Sequence, residues 1–155
     1  MENSVAADKG LDYLRVPPHS VEAEQSVLGG LLLDNSSWDR IADIISDDDF
    51  YRFDHRIIWQ HITRLIRLAR PADVISVYES LTTAGKAEDA GGLAYLNALA
   101  HNTPSAANIR RYAEIVRERS MLRKVVSVSD DIASAAFNPQ GKEARQILDA
   151  AEARV

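Results

Sequence analysis

The stretch after Pro104 constrains this chain more than any other. Ser105 is a good helix cap, and no breaker follows it before Asn138-Pro139. That leaves about 32 residues, roughly 48 Å of helix at 1.5 Å per residue. On a wheel of ~100° per residue, Ile109, Tyr112, Ala113 and Val116 share one side. Met121, Leu122, Val125, Val128, Ile132 and Ala136 gather nearly opposite, and Arg117-Glu118-Arg119-Ser120 between them has no apolar side chain. An amphipathic stripe is stable only where something covers it. A helix with opposite faces in its two halves must therefore touch two different bodies.

The first half belongs with the elements before it, and the second half needs another partner. Pro139 and Gly141 predict a reversal, after which residues 142–155 read as helix again, with Ile147, Leu148 and Ala151 together. Two antiparallel helices cannot cover their own apolar surface. They either fold back on the preceding helices or protrude and meet a second copy of the chain; the second arrangement is the expectation. Val155 stands among good helix formers without a cap, which suggests that a longer polypeptide continues from it.

Upstream, the punctuation predicts short helices. Pro17-Pro18 leads into Ser20, a cap followed by Glu22 and Glu24 in a first turn where the helix dipole favours anions. Val21, Leu28, Leu31 and Leu32 then form a stripe. Ser36 or Ser37 can cap a helix with Trp38, Ile41, Ile44 and Ile45, and Asp54 one with Ile58, Ile62, Leu65 and Ile66 that Pro71 ends. Asp73 opens a fourth, with Gly85 at its left-handed C′ position, and Gly91-Gly92 precede a fifth with Leu93, Leu96 and Leu99. No sustained period-2 run of β-branched residues occurs, so the fold class is all-α. The expected organisation is a mobile tail at 1–16, a globular helical head at 17–116 and a protruding helical hairpin at 117–155, cut short at its C-terminal end.

Composition narrows the functions. The 155 residues include no cysteine, which excludes disulfides, thiolate nucleophiles and Cys-ligated metal centres. The net charge of -5 opposes direct DNA binding, because phosphates are neutralised by clustered Lys and Arg. No segment is apolar enough to span a membrane and no secretory signal begins the chain, so a cytoplasmic location is expected. Gly85-Lys86 and Gly141-Lys142 both fail the phosphate-loop spacing. Gly29-Gly30 inside a helix point to close approach of another helix. His19, His55, His61 and His101 lack ligand spacing and read as surface or capping residues; Asp47-Asp48-Asp49 read as an acidic turn. Arg110-Arg111, Arg117, Arg119 and Arg123-Lys124 are the basic concentration, either a solvated face with ion pairs such as Glu114–Arg117 or a surface for an acidic partner or a DNA strand. No nucleophile, base and orienter stand out as a set, so the chain reads as an interaction module with no catalytic, metal or cofactor-binding residues.

Three strings identify a resemblance. PPHSVEAEQSVLGGLLLD (17–34), DDFYRFDHRIIWQHI (48–62) and AGGLAYLNALAHNTPSAANIRRYAEIVRERSMLR (90–123) closely resemble the N-terminal domain of DnaB-type bacterial replicative helicases. The resemblance implies a helical head and hairpin that pairs with a second copy, three pairs forming the collar of a hexameric ring. It further implies that DNA primase and helicase loaders contact this collar. ATP hydrolysis with Mg²⁺, and movement along single-stranded DNA, would belong to a following RecA-like ATPase domain that this chain does not contain. By the resemblance, Tyr112 and Val116 sit where head and hairpin join. Leu122, Val125, Val126 and Ile132, with Ile147 and Leu148, line the hairpin and its dimer contact. The alternative is a free-standing helical adaptor that mimics the collar and regulates the helicase. On either reading the isolated chain is expected neither to hydrolyse ATP nor to bind duplex DNA tightly.

Overall fold

Ser20 opens the first helix as its sequence suggests, with extended backbone (φ −140°, ψ 101°) and a hydroxyl that accepts from the Ala23 amide at 3.2 Å. The computed structural model describes residues 16–155; Met1–Arg15, nearly all of the expected tail, lie outside the described residues. The elements are α1 (Val21–Leu33), a 3₁₀ helix at Asn35–Arg40, a second at Asp47–Asp49, α2 (Phe53–Arg67), α3 (Val74–Thr83), α4 (Gly92–Asn102), α5 (Ile109–Phe137) and α6 (Ala144–Arg154). Among the described residues no strand occurs, as the all-α reading requires. The chain forms two units. One is His19–Ser120; the other joins Met121–Val155 to the described residues before His19.

In the first unit, α1 and α2 supply the centre of the core with Val27, Leu28, Leu31, Ile58 and Ile62, all fully buried. Phe50, Leu81, Leu96 and Ile109 close around them. The glycine pair does what the sequence suggests. A Cβ on Gly29 would overlap the Leu99 carbonyl oxygen and the Thr103 hydroxyl, and lie 2.9 Å from Thr103 Cβ. One on Gly30 would be 3.1 Å from Ile109 Cδ1. Two helical glycines cost about 1 kcal/mol each in propensity, and they let the end of α4 lie directly on the backbone of α1.

Several boundaries differ from the sequence expectation. The helix expected after Ser36 or Ser37 is the 3₁₀ helix Asn35–Arg40, capped by Asp34. Asp34 accepts from the Ser36 amide at 3.0 Å, and the Ser37 hydroxyl donates to the Asp34 carbonyl at 2.6 Å. Such local side-chain bonds compete with the α-helical ladder and hold the backbone in tighter turns. Arg52, not Asp54, caps α2; Asp54 lies in the first turn, accepting from the His55 amide at 2.8 Å and pairing with Arg52 at 2.6 Å. Helix α2 ends before Pro71, where Ala69 turns left-handed at φ 56° and the Arg70 amide bonds back to the Leu65 carbonyl at 2.9 Å. Helix α3 follows its expectation: Asp73 accepts from the Ser76 amide at 2.8 Å, and Gly85 takes φ 70° at the exit. Asn35 ties α1 to the α2–α3 connection, accepting from the Ala72 amide at 2.9 Å and donating to the Leu31 carbonyl at 2.8 Å.

Helix α5 begins at Ile109, not after Ser105, whose hydroxyl accepts from the Ala107 amide at 3.3 Å in a preceding turn. Arg40 holds that turn by donating to the Ala106 carbonyl at 3.1 Å. The helix runs 29 residues, and its buried residues are Ile109, Ala113 and Val116. Beyond Val116 none of its side chains is buried. The expected Glu114–Arg117 pair is replaced by Glu114 with Arg110 (3.4 Å) and Arg117 with Asp49 (2.9 Å). The buried Asp49 carboxylate gains more from a cation than a solvated Glu114 does.

In the second unit, residues 121–137 of α5 meet α6 after a reversal in which Gln140 (φ 50°) and Gly141 (φ 83°) are both left-handed. The Glu143 amide donates to the Gln146 side chain at 3.0 Å at the start of α6, and Arg154 pairs with Asp131 at 2.9 Å across the two helices. Arg123 donates to the Pro18 carbonyl at 2.8 Å. Helix α6 has no buried residue. No helix among the described residues is long and apolar enough to cross a membrane.

Candidate functional site

The hairpin residues come first. Leu122, Val125, Val126 and Leu148 are between 44% and 60% exposed, as is Met121 beside them. Ile132 and Ile147 are half-buried and line one cleft between α5 and α6 with Ala135, Ala151 and the Asp131–Arg154 pair. The structure thus brings Ile132 and Ile147 together inside the hairpin and leaves Leu122, Val125, Val126 and Leu148 open. Val116 is 1% exposed and Tyr112 half-buried, both packed in the core of the first unit, so Val116 offers no surface to a partner. Branched apolar side chains at this exposure on a two-helix unit are the type of surface that another protein covers.

The first unit contains a polar cluster that the sequence reading missed. His55 is fully buried and His61 nearly so, which overturns their assignment as surface or capping residues. Glu24, 1% exposed, accepts from His55 Nδ1 at 2.7 Å and from the Tyr51 amide at 2.9 Å. His55 Nε2 lies 2.6 Å from the Tyr95 hydroxyl, which also accepts from Gln25 at 3.2 Å. The Glu24 carboxylate can only accept, so His55 Nδ1 carries its hydrogen, and with Gln25 donating to the phenol oxygen the phenol hydrogen points to Nε2. Burial pushes the Tyr95 phenol up, against the Gln25 hydrogen bond and the nearby Arg52 charge. Every member is satisfied by another, so the cluster locks α1, α2 and α4 together. The signal was in the helical phase: Glu24 stands three residues after Val21 and four before Leu28, on the apolar stripe itself.

His61 Nδ1 lies 2.7 Å from the Ser80 hydroxyl, joining α2 to α3. Burial, then the positive charges of Lys86 and Arg64, hold its pKa below the usual histidine value of 6.5. The folded chain therefore binds fewer protons than the unfolded chain between the lowered value and 6.5, and stability rises with pH across that window. His61's contribution is complete above pH 6.5 and is lost as pH falls through its lowered folded pKa. Urea unfolding at pH 7.5 and pH 5.5 should show a loss on acidification that is smaller in His61→Gln. An equal loss in both proteins would show that His61 is not the sensor.

Residues 16–118 match the family described as the DnaB-like helicase N terminal domain. The chain is 47% identical over 154 residues to the replicative DNA helicase DnaB of Pasteurella multocida, covering 99% of this chain and 33% of that protein. It is 36% identical over 141 residues to that of Geobacillus stearothermophilus, covering 91% of this chain and 31% of the relative. The chain thus spans about a third of the length of the curated relatives it matches. The crystal structure of the N-terminal domain of DnaB helicase from Mycobacterium tuberculosis superposes with a TM-score of 0.84 at 33% identity, over 89% of this chain and 96% of that one. A DnaB-like replicative helicase, solved in a study of its interactions with primase, superposes with a TM-score of 0.63 at 26% identity, over 86% of this chain and 31% of that one. The three strings, the all-helical order and a match over most of the first unit lead to one conclusion: this chain belongs to the DnaB-like helicase N-terminal domain family.

Proposed function

We propose that this chain is the N-terminal collar of a bacterial replicative DNA helicase, acting in the cytoplasm at the replication fork. It pairs with a second copy through the hairpin, and three pairs form the collar of a hexamer that receives DNA primase and the helicase loader. ATP with Mg²⁺, and the grip on single-stranded DNA, belong to an ATPase domain following this one in the parent protein; the collar itself uses neither nucleotide nor metal. The observation that carries this reading is the open apolar set of Leu122, Val125, Val126 and Leu148, on a unit whose second helix buries nothing. Covering each of these half-exposed side chains is worth on the order of 1 kcal/mol. The names of the relatives support the helicase, and the solved primase-interacting relative supports primase as a partner.

The test is sedimentation of the chain carrying Leu122→Asp or Val126→Asp. Burying a carboxylate in an apolar contact costs several kcal/mol, so self-association should weaken by at least about tenfold. The helical circular dichroism should stay unchanged, because both positions are exposed. An unaltered sedimentation profile would remove the hairpin from the dimer contact.

A further inference from the structure

Several cations of the first unit are used internally. Arg52 pairs with Asp54, Arg117 with Asp49, Arg110 with Glu114, and Arg40 with the Ala106 carbonyl. The end of α2 differs. Among the described residues neither Arg64 nor Arg70 has a salt bridge, and Arg67 lies over the Trp38 ring, 5.6 Å from its centroid. Arg64 and Arg70 border a cleft of about 620 Å³ between α2 and α3, a volume within the range of ligand sites. The α2 side and its exit supply Leu65, Leu68 and Pro71; α3 supplies the Ser76 and Ser80 hydroxyls and the cleft's one carboxylate, Glu79. Leu68 is 54% exposed. His61, bonded to Ser80, feels the charges of Arg64 and Lys86, which add to burial in lowering its pKa.

We propose that the cleft between α2 and α3 docks an acidic, amphipathic segment of a partner protein, its carboxylates on Arg64 and Arg70 and an apolar side chain against Leu65, Leu68 and Pro71. Two unpaired guanidiniums flanking an apolar wall match that chemistry, since Arg presents a planar fork to carboxylates. A nucleic-acid strand fits less well. No aromatic side chain lines the cleft to stack a base, Glu79 repels phosphate, and the overall charge is negative. The site lies in the first unit, on residues other than those of the hairpin, and does not depend on hairpin pairing.

The test uses the full chain and three probes: an acetylated peptide of about ten residues alternating Asp/Glu with Leu, its Asn/Gln counterpart, and an oligothymidylate of about ten nucleotides. Affinities are read by fluorescence anisotropy at low salt and contacts by amide chemical shifts. The acidic peptide should perturb residues 64–84, raise the His61 pKa by offsetting the nearby positive charge, and bind at least about tenfold tighter than its neutral counterpart. Arg64→Glu with Arg70→Glu should weaken it about tenfold or more, and the exposure of both side chains leaves folding intact. Leu68→Ser should weaken binding without changing its salt dependence. Failure of the acidic peptide to bind, equal binding of the neutral peptide, or unchanged affinity in the double variant would each overturn the proposal. Displacement of the peptide by the oligothymidylate at these same residues would replace a protein segment with a nucleic acid.

Discussion

Gly29→Ala should destabilise the first unit by about 3 kcal/mol or more, near the upper end of the overpacking range. The added methyl has nowhere to go. It would overlap the Leu99 carbonyl oxygen, which is backbone, as well as the Thr103 side chain. Thr103→Ala removes one obstacle and leaves the other, so the double variant should recover only part of the loss. For a chain of this length a loss of about 3 kcal/mol lowers the melting temperature by roughly 10 °C. Gly30→Ala is the internal comparison. Its methyl would be 3.1 Å from Ile109 Cδ1, the end of a flexible side chain that can shift, and its cost should be about 1 kcal/mol or less. Thermal unfolding of the three variants checks the ranking; equal melting temperatures for Gly29→Ala and the unaltered chain would contradict the close helix contact.

Glu24→Ala should cost about 2–6 kcal/mol, from two buried donors left unsatisfied at about 1–3 kcal/mol each. The substitution strands His55 Nδ1–H and the Tyr51 amide, both of which donate to this carboxylate. Glu24→Gln should cost less, about 1–2 kcal/mol, because its carbonyl can keep the Tyr51 amide while its NH₂ faces His55. That arrangement forces the other histidine tautomer, moving the proton to Nε2 and turning the Tyr95 hydroxyl from donor to acceptor. The ¹⁵N shifts of the His55 ring report that exchange directly, and an unchanged tautomer in Glu24→Gln would refute the assignment. Urea titration gives the stability ranking, and Ala costing no more than Gln would mean that the pair is not a lock.

How much of this was legible in advance follows the range of each interaction. Ser20, Asp73 and Gly85 were readable because caps and left-handed exits depend on the next three or four residues. The opposite faces of α5 before and after Arg117–Ser120 were readable for the same reason: helical periodicity is local. The 3₁₀ helix at Asn35–Arg40 was missed because Asp34 and Ser37 bond to the backbone and outcompete a ladder that the spacing of Ile41, Ile44 and Ile45 otherwise suits. The open apolar hairpin was legible as two helices too few to cover themselves. The burial of Val116, which removes it from any partner surface, is decided by tertiary packing.

Local order set the helices, the two faces of α5 and the glycine pair that requires a close neighbour. Packing alone identified that neighbour as the end of α4, joined Glu24 to His55 and Tyr95, sent Arg117 to Asp49, and left Arg64 and Arg70 without carboxylates beside a cleft. The physical reason is separation along the chain. A cap or a stripe is decided within about two turns of helix, whereas these contacts join residues dozens of positions apart, and no propensity or spacing records which distant side chain the folded core will place opposite another.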